Sequence, residues 1–184
     1  MIHAVVTVGG PPGSGKSTAG RLVAAALGLE FRSAGDLFRA EARRHEMDLA
    51  AFGRYAAEHP EVDRDLDRSM QALATPGRLL DGRVQGPLCR RAGIPVYDVV
   101  VTAREEVRVR RVAQRDGQSV PEAQRLVRER EASERDRYQR FYGIDLARET
   151  PGLVVDSSDR PPAAVAEAIR AFVLERERAA AATR

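Results

Sequence analysis

Gly10-Pro11-Pro12-Gly13-Ser14-Gly15-Lys16-Ser17 is the stretch that decides how this chain folds. It satisfies every required position of G-x-x-x-x-G-K-[ST], the Walker A phosphate loop. Its flanks fit as well. Upstream, Ile2 to Val8 is a short apolar, β-branched run that reads as a buried strand rather than a secretory signal. Downstream, Lys16 to Leu27 carries Ala19, Leu22, Val23 and Ala26 at helical spacing, and Gly28 is placed to cap the helix end. Strand, glycine turn and helix in that order form the first half of a βαβ unit.

Each residue type in the turn has a physical task. Glycines let the backbone curl until successive N–H groups converge on phosphate oxygens, and the positive end of the following helix faces the same point. Gly10, Pro11, Pro12, Gly13, Ser14 and Gly15 are therefore expected to cradle the phosphates of ATP. Lys16 is expected to reach the β- and γ-phosphates, the Ser17 hydroxyl to ligate Mg²⁺, and Thr18 to lie close by.

Composition narrows the classes. The 184 residues suit one domain, expected to span 1–184, with no repeat or interdomain linker. No apolar run approaches the roughly 18 residues that cross a bilayer. A single cysteine, Cys89, forms no internal disulfide and points to a reducing, cytoplasmic setting. The net charge of +3 raises the alternative of a nucleotide-dependent nucleic-acid-binding module. Against it, basic and acidic residues interleave between Arg125 and Arg137, and aromatics are only 5%, too few for a stacking platform. Lys16 is the lone lysine and asparagine is absent, so the Asn-Lys-x-Asp loop of guanine-reading GTPases cannot be built. A motor ATPase normally needs a longer chain. A kinase for a small acceptor remains, with no membrane or nucleic-acid partner expected; a monomer is the expectation, although no residue fixes oligomeric state.

Working outward from the loop, a second strand ends near Phe31-Arg32. Helical stretches follow at about Asp36–Arg44, Asp48–Glu58 and Val62–Ala74, with breaks at Gly35, Met47-Asp48 and Pro60. Arg78–Asp81 and Val96–Val101 read as strands and Glu105–Arg115 as a helix ended by Asp116-Gly117. Ser119-Val120-Pro121-Glu122 is a capping box opening a long, charged helix to about Tyr142. Leu153–Val155 is a last strand and Pro161 to about Arg178 a last helix, with the tail Ala179–Arg184 expected to fray. The alternation predicts an α/β, three-layer arrangement: a parallel five-stranded sheet with helices on both faces.

Several of these segments resemble a known family. Ser33-Ala34-Gly35-Asp36-Leu37-Phe38-Arg39 is similar to the Ser-x-Gly-Asp segment of nucleoside monophosphate kinases, and Asp81-Gly82-Arg83 to the Asp-Gly-Arg segment of cytidylate kinases. The stretches Leu49–Gly53 and Pro60–Asp67 resemble the short, archaeal type of cytidylate kinase. So does Arg128–Tyr138 followed by Phe141-Tyr142-Gly143-Ile144-Asp145. The resemblance runs from about residue 3 to 170. It implies a P-loop NTPase fold with a helical segment for the acceptor nucleotide, about 33–76, and an arginine-rich lid, about 111–142. It also implies phosphoryl transfer from ATP to CMP or dCMP in pyrimidine nucleotide metabolism. Two positions depart from related patterns. Ala34 stands where adenylate kinases carry a hydroxyl, and Val84 where bacterial cytidylate kinases carry a second Asp after Asp-Gly-Arg.

The same resemblance distributes roles. Arg39 and Arg83 would hold the acceptor phosphate, a use that suits arginine's bidentate fork, with Ser33 beside them. Arg111 and Arg115, four apart on one helical face, would flank the donor nucleotide. Arg130, Glu134 and Arg137 share one stripe of the long helix; the arginines would approach the transferring phosphoryl group and the acceptor, and Glu134 the cytosine side. Lys16, Arg111, Arg130 and Arg137 are thus the candidate catalytic cations. Asp81 would order the metal's waters or merely shape an Asp-Gly turn. Asp36 would serve the metal or acceptor, or cap its own helix. An acidic acceptor favours cytosine's amine over uracil's carbonyl, making Asp63, Arg64 and Glu134 the candidate readers of the base. Another small acceptor, nucleotide or not, is the alternative reading.

Overall fold

The computed structural model describes residues 2–182, and the order of elements follows from alternating strand and helix patterns. Strand β1 (Val5–Gly9) is buried along its whole length, because it runs through the middle of the sheet. Helix α1 (Lys16–Leu27) follows the glycine loop, then β2 (Glu30–Ser33), α2 (Ala34–Arg44), α3 (Leu49–Glu58) and α4 (Pro60–Ala72). Next come β3 (Arg78–Asp81), α5 (Gln85–Arg91), β4 (Val96–Thr102) and α6 (Glu105–Asp116). The chain continues through α7 (Val120–Tyr142), β5 (Leu153–Asp156) and α8 (Pro162–Ala182).

The five strands are all parallel, in the order β2-β3-β1-β4-β5. The period-two pleat sends consecutive valines of β1 to opposite faces. Val6 and Val8 pack with Val23, Leu79, Val99, Val101, Ile169 and Val173 beneath α1 and α8, whereas Val5 packs with Met70, Leu80 and Cys89 beneath α4 and α5. A third, separate cluster of Val109, Val112, Ala113, Ala123 and Val127 joins α6 to α7. The register pairs Val8 with Asp81 and Gly9 with Val100, so the carboxyl ends of the central strands finish at one level. That edge of an open parallel sheet is where ligands bind.

The expected strands and most helices are present, with shifts that have local causes. The first strand begins at Val5 rather than Ile2. Gly35 does not break the chain: α2 starts at Ala34, two residues before the expected Asp36, with the Ser33 hydroxyl accepting from the Asp36 N–H at 3.3 Å. Pro60 likewise opens α4 instead of delaying it, as the first helical position needs no N–H. Helix α5 escaped the sequence reading because Gly86 and Pro87 look like breakers; Pro87 sits in the first turn, where its missing donor is harmless. The tail does not fray as expected: α8 continues through Ala179–Ala182, a run of the strongest helix former. Residues 183 and 184 of that expectation lie outside the described residues. Ser119 caps α7 as anticipated, its hydroxyl accepting from the Glu122 N–H at 3.4 Å, and Gly143 closes the other end in the left-handed region. Among the described residues, no helix is long and apolar enough to cross a membrane.

Candidate active site

The glycine loop emerges from the carboxyl end of β1 and turns into α1. Gly10 has φ +140° and Gly13 φ +77°, and a Cβ on either would collide with backbone, 2.0 Å from the Val101 carbonyl oxygen and 2.4 Å from that of Arg108. Only glycine fits these two approaches. The loop's carbonyls are held from outside. Arg108 donates from Nη1 to Pro12 O (3.3 Å) and from Nε to Ala103 O (3.0 Å), and pairs with Glu131. Arg111 donates to Gly13 O (3.4 Å), to Ser157 Oγ (3.0 Å) and to Ser157 O (2.8 Å), while the Ser157 hydroxyl donates to Ser14 O (2.7 Å). In a planar trans peptide the N–H points opposite to its carbonyl. The N–H groups of Gly13 and Gly15 are therefore turned into the cradle.

Lys16, at the foot of the cradle, makes no hydrogen bond and no ion pair among the described residues. Burial pushes its ammonium down to about 8; Arg83 and Arg130 add to that push, and Asp81 and Glu134 oppose it. Beside it the Ser17 hydroxyl donates to Asp81 Oδ2 at 2.5 Å, and the Ser33 hydroxyl donates to the same oxygen at 3.1 Å. The other carboxylate oxygen, Asp81 Oδ1, is buried with no hydrogen-bond partner among the described residues, as are Ser14 Oγ and Arg83 Nη2. Buried polar atoms are almost always satisfied. Orphans of both signs around one loop fit a site built for a phosphate chain and a hydrated cation.

Facing the loop, α7 contributes a carboxylate between two guanidinium groups. Glu134 lies 2.5 Å from Arg83 Nε and accepts from Arg130 Nε at 2.6 Å. Burial alone would raise its carboxyl, but Arg83 and Arg130 outweigh burial and hold it below the usual carboxylate range. One turn on, Arg137 lies 2.8 Å from Asp63 and donates to Gly53 O at 3.2 Å. Burial pushes the Asp63 carboxyl up to about 6 against the pull of Arg137, with Asp67 and Glu134 adding to the rise.

Of the residues singled out from sequence, Lys16, Ser17, Ser33, Asp63, Asp81, Arg83, Arg111, Arg130, Glu134 and Arg137 come together around this cleft. Asp36 and Arg39 pair with each other at 2.6 Å near its rim, and Asp36 also receives Arg21 at 3.1 Å. Arg115 is exposed and bound to its neighbour Asp116, with Arg130 near enough to act on its charge. Arg64 is exposed as well, its guanidinium 5.9 Å from the Phe141 ring. Sequence reasoning missed Arg108 and Ser157, which strap the loop, and the set Asp67, Gln85 and Tyr142. Tyr142 OH donates to Asp67 Oδ2 (2.8 Å) and Gln85 Nε2 to Asp67 Oδ1 (2.9 Å). No local signal marks Arg108 or Ser157. Asp67 does stand four residues after Asp63, on the same helical face.

A parallel 2-3-1-4-5 sheet whose first strand delivers a Walker A loop into a helix N-terminus defines a P-loop nucleotide-binding protein. Among solved structures, shikimate kinase from Acinetobacter baumannii superposes with a TM-score of 0.62 at 17% identity, covering 95% of this chain and 94% of that one; the likeness is one of fold. A family model described as an AAA domain matches residues 6–139. The cytidylate kinase of Pyrobaculum neutrophilum is 43% identical over 157 residues, covering 84% of each chain. That of Pyrococcus horikoshii is 36% identical over 171 residues, covering 92% of this chain and 88% of its own. The chain belongs to the cytidylate kinase family.

Proposed function

We propose that this protein transfers the γ-phosphoryl group of ATP to CMP or dCMP, giving CDP or dCDP and ADP. The observation that carries the reading is the convergence of Lys16, Arg83, Arg130 and Arg137 on one cleft beside the phosphate loop. Two nucleotides meeting end to end bring several negative charges to one place, and such a cluster answers them.

A phosphate oxygen of CMP attacks the γ-phosphorus; as that bond forms, the bond from phosphorus to the β,γ-bridging oxygen breaks and ADP leaves. The protein does little covalent work here; it positions and neutralises. The loop from Gly10 to Gly15 holds the ATP phosphates through its N–H groups, with Lys16 on the β- and γ-phosphates and Thr18 alongside. Ser17 and Asp81 would hold Mg²⁺, which would supply positive charge against the phosphates. Arg83 and Arg39 take the acceptor phosphate, Ser33 and Asp36 line its approach, and Arg130 and Arg137 stand over the group in transit. Arg111, already on the loop, and Arg115 flank the donor nucleotide. Residues 33–76 form the acceptor-binding segment and 111–142 the lid, whose own small core of α6 and α7 side chains lets it move as a unit that excludes water. The free, buried Cys89 accords with a reducing cytoplasm.

The test is release of ADP, followed with a coupled assay, on offering CMP, dCMP, UMP, AMP and shikimate in turn. CMP-dependent ADP formation is expected. Its absence, or saturable turnover with shikimate instead, overturns the assignment.

A further inference from the structure

The base-reading residues named from sequence are occupied elsewhere: Glu134 is shared by Arg83 and Arg130, Asp63 faces Arg137, and Arg64 lies outside the cleft. Asp67 is different. It projects from α4 one turn beyond Asp63, toward the start of α5 and the far end of α7, and remains partly exposed. Both of its hydrogen bonds come from neutral donors, the Tyr142 phenol and the Gln85 amide. Among the described residues no arginine forms an ion pair with it, and Arg137 acts on it only as a nearby charge.

That arrangement is costly for the empty protein. Burial raises the Asp67 carboxyl above its ordinary range, and the bonds from Tyr142 and Gln85 only partly offset this. Each of its two oxygens receives one donor, a pairing that an amide, with a single acceptor oxygen, would meet only in half. Each carboxylate oxygen has capacity for a second donor. Gln85 holds the carboxylate in place: it is fully buried, packs on Gly82, and its own carbonyl accepts from Gln71 Nε2 at 3.4 Å. It also lies two residues after Arg83, and Arg83 and Asp67 both act on the buried Tyr138 phenol, so the acidic group and the acceptor-phosphate arginine are near neighbours.

We infer that Asp67, oriented by Gln85 and Tyr142, is the specificity-determining residue that accepts a hydrogen bond from the exocyclic amine of the acceptor's pyrimidine. The inference rests on the CMP kinase reading and deepens it. Uracil presents a carbonyl at that position and meets the carboxylate lone pair to lone pair. A site built to receive a donor rejects the analogue lacking it far more strongly than a pocket judging size alone.

The experiment compares kcat/KM for CMP and for UMP, with ATP saturating, in the wild-type protein and in Asp67→Asn. The wild type is expected to favour CMP by about 100-fold or more. Asp67→Asn, which retains an acceptor for Tyr142, is expected to lose roughly 30-fold or more on CMP while UMP holds or improves, collapsing the ratio. A purely structural clamp between α4, α5 and α7 lowers both substrates together and leaves the ratio unmoved; that result overturns the inference while CMP kinase activity stands. Should the variant not fold, the wild-type ratio still decides, because acceptance of UMP within about tenfold of CMP removes any role for a discriminating carboxylate. A wild-type protein inactive on both acceptors removes the kinase reading itself.

Discussion

Lys16 offers a prediction that couples nucleotide binding to proton uptake. Among the described residues its ammonium has no ion-pair partner, and desolvation, with Arg83 and Arg130 nearby, lowers its pKa from 10.5 to about 8. When phosphates enter the loop, the nearby negative charge restores the protonated form to the ordinary lysine range or above. At pH 8 the free protein is half protonated at this site and the complex fully so. Binding a non-hydrolysable ATP mimic with magnesium should then take up about 0.5 proton, from the two pKa values. At pH 6.5 both states are protonated and uptake should vanish. Calorimetric titration in two buffers of different ionisation enthalpy measures this number directly. The stability side carries a definite sign. For a base whose folded pKa is depressed, the unfolded chain binds more protons between pH 8 and 10.5, so stability rises with pH across that window. Below pH 8 the full penalty is present, at most about 3 kcal/mol for the 2.5-unit difference. Lys16→Met should therefore melt higher than the wild type at pH 7, by roughly 5–10 °C at that upper bound, and take up no proton with the ATP mimic. Uptake at pH 8 equal in wild type and Lys16→Met, or absent from both, would refute the reasoning.

Three further outcomes are expected. Gly13→Ala forces a side chain into a φ of +77° and to within 2.4 Å of the Arg108 carbonyl; it should lower stability by about 1–3 kcal/mol and abolish the melting shift given by ATP, as thermal melts with and without nucleotide will read. Arg83→Lys keeps the charge but loses the planar fork, so kcat/KM for CMP should fall about 100-fold with the KM for ATP nearly unchanged; a loss confined to ATP would place Arg83 on the donor side instead. Asp63 carries a folded pKa of about 6 against 3.8 unfolded. A raised folded value means that its contribution is fully present below pH 4 and is lost as pH climbs through 6. Denaturant melts should show Asp63→Asn gaining on the wild type by up to about 3 kcal/mol between pH 4 and 7. A pH-independent difference would contradict that.

How much was legible beforehand depends on how far apart the interacting residues lie. The loop, its strand and its helix are local, and Gly10 to Ser17 sufficed to place them. The capping of α7 by Ser119 and of α1 by Gly28 is local too, and was readable. By contrast, the hydroxyl that holds Ser14 O belongs to Ser157, 143 residues away, and Arg108 reaches Pro12 across 96. No spacing rule connects such pairs before the sheet is assembled. Arginine abundance hid the rest, since in a chain so rich in that residue nothing separates a largely buried side chain such as that of Arg83 from an exposed one such as that of Arg115 until the fold is known. Asp67 was overlooked because its two donors arrive from α5 and α7, and α5 itself was hidden by Gly86-Pro87.

The carboxylate of Glu134, lodged between Arg83 and Arg130, has a consequence for how the cleft responds to salt and to occupancy. Because the two guanidinium groups already share a resident anion, a phosphate taken up by them as proposed would have to swap places with it instead of filling bare positive charge. The long-range pull on nucleotides is correspondingly muted, and ionic strength should slow capture only modestly. The swap also ties the two substrates together: whichever nucleotide first loosens Glu134 frees an arginine for the other, so donor and acceptor should each tighten the hold on the second.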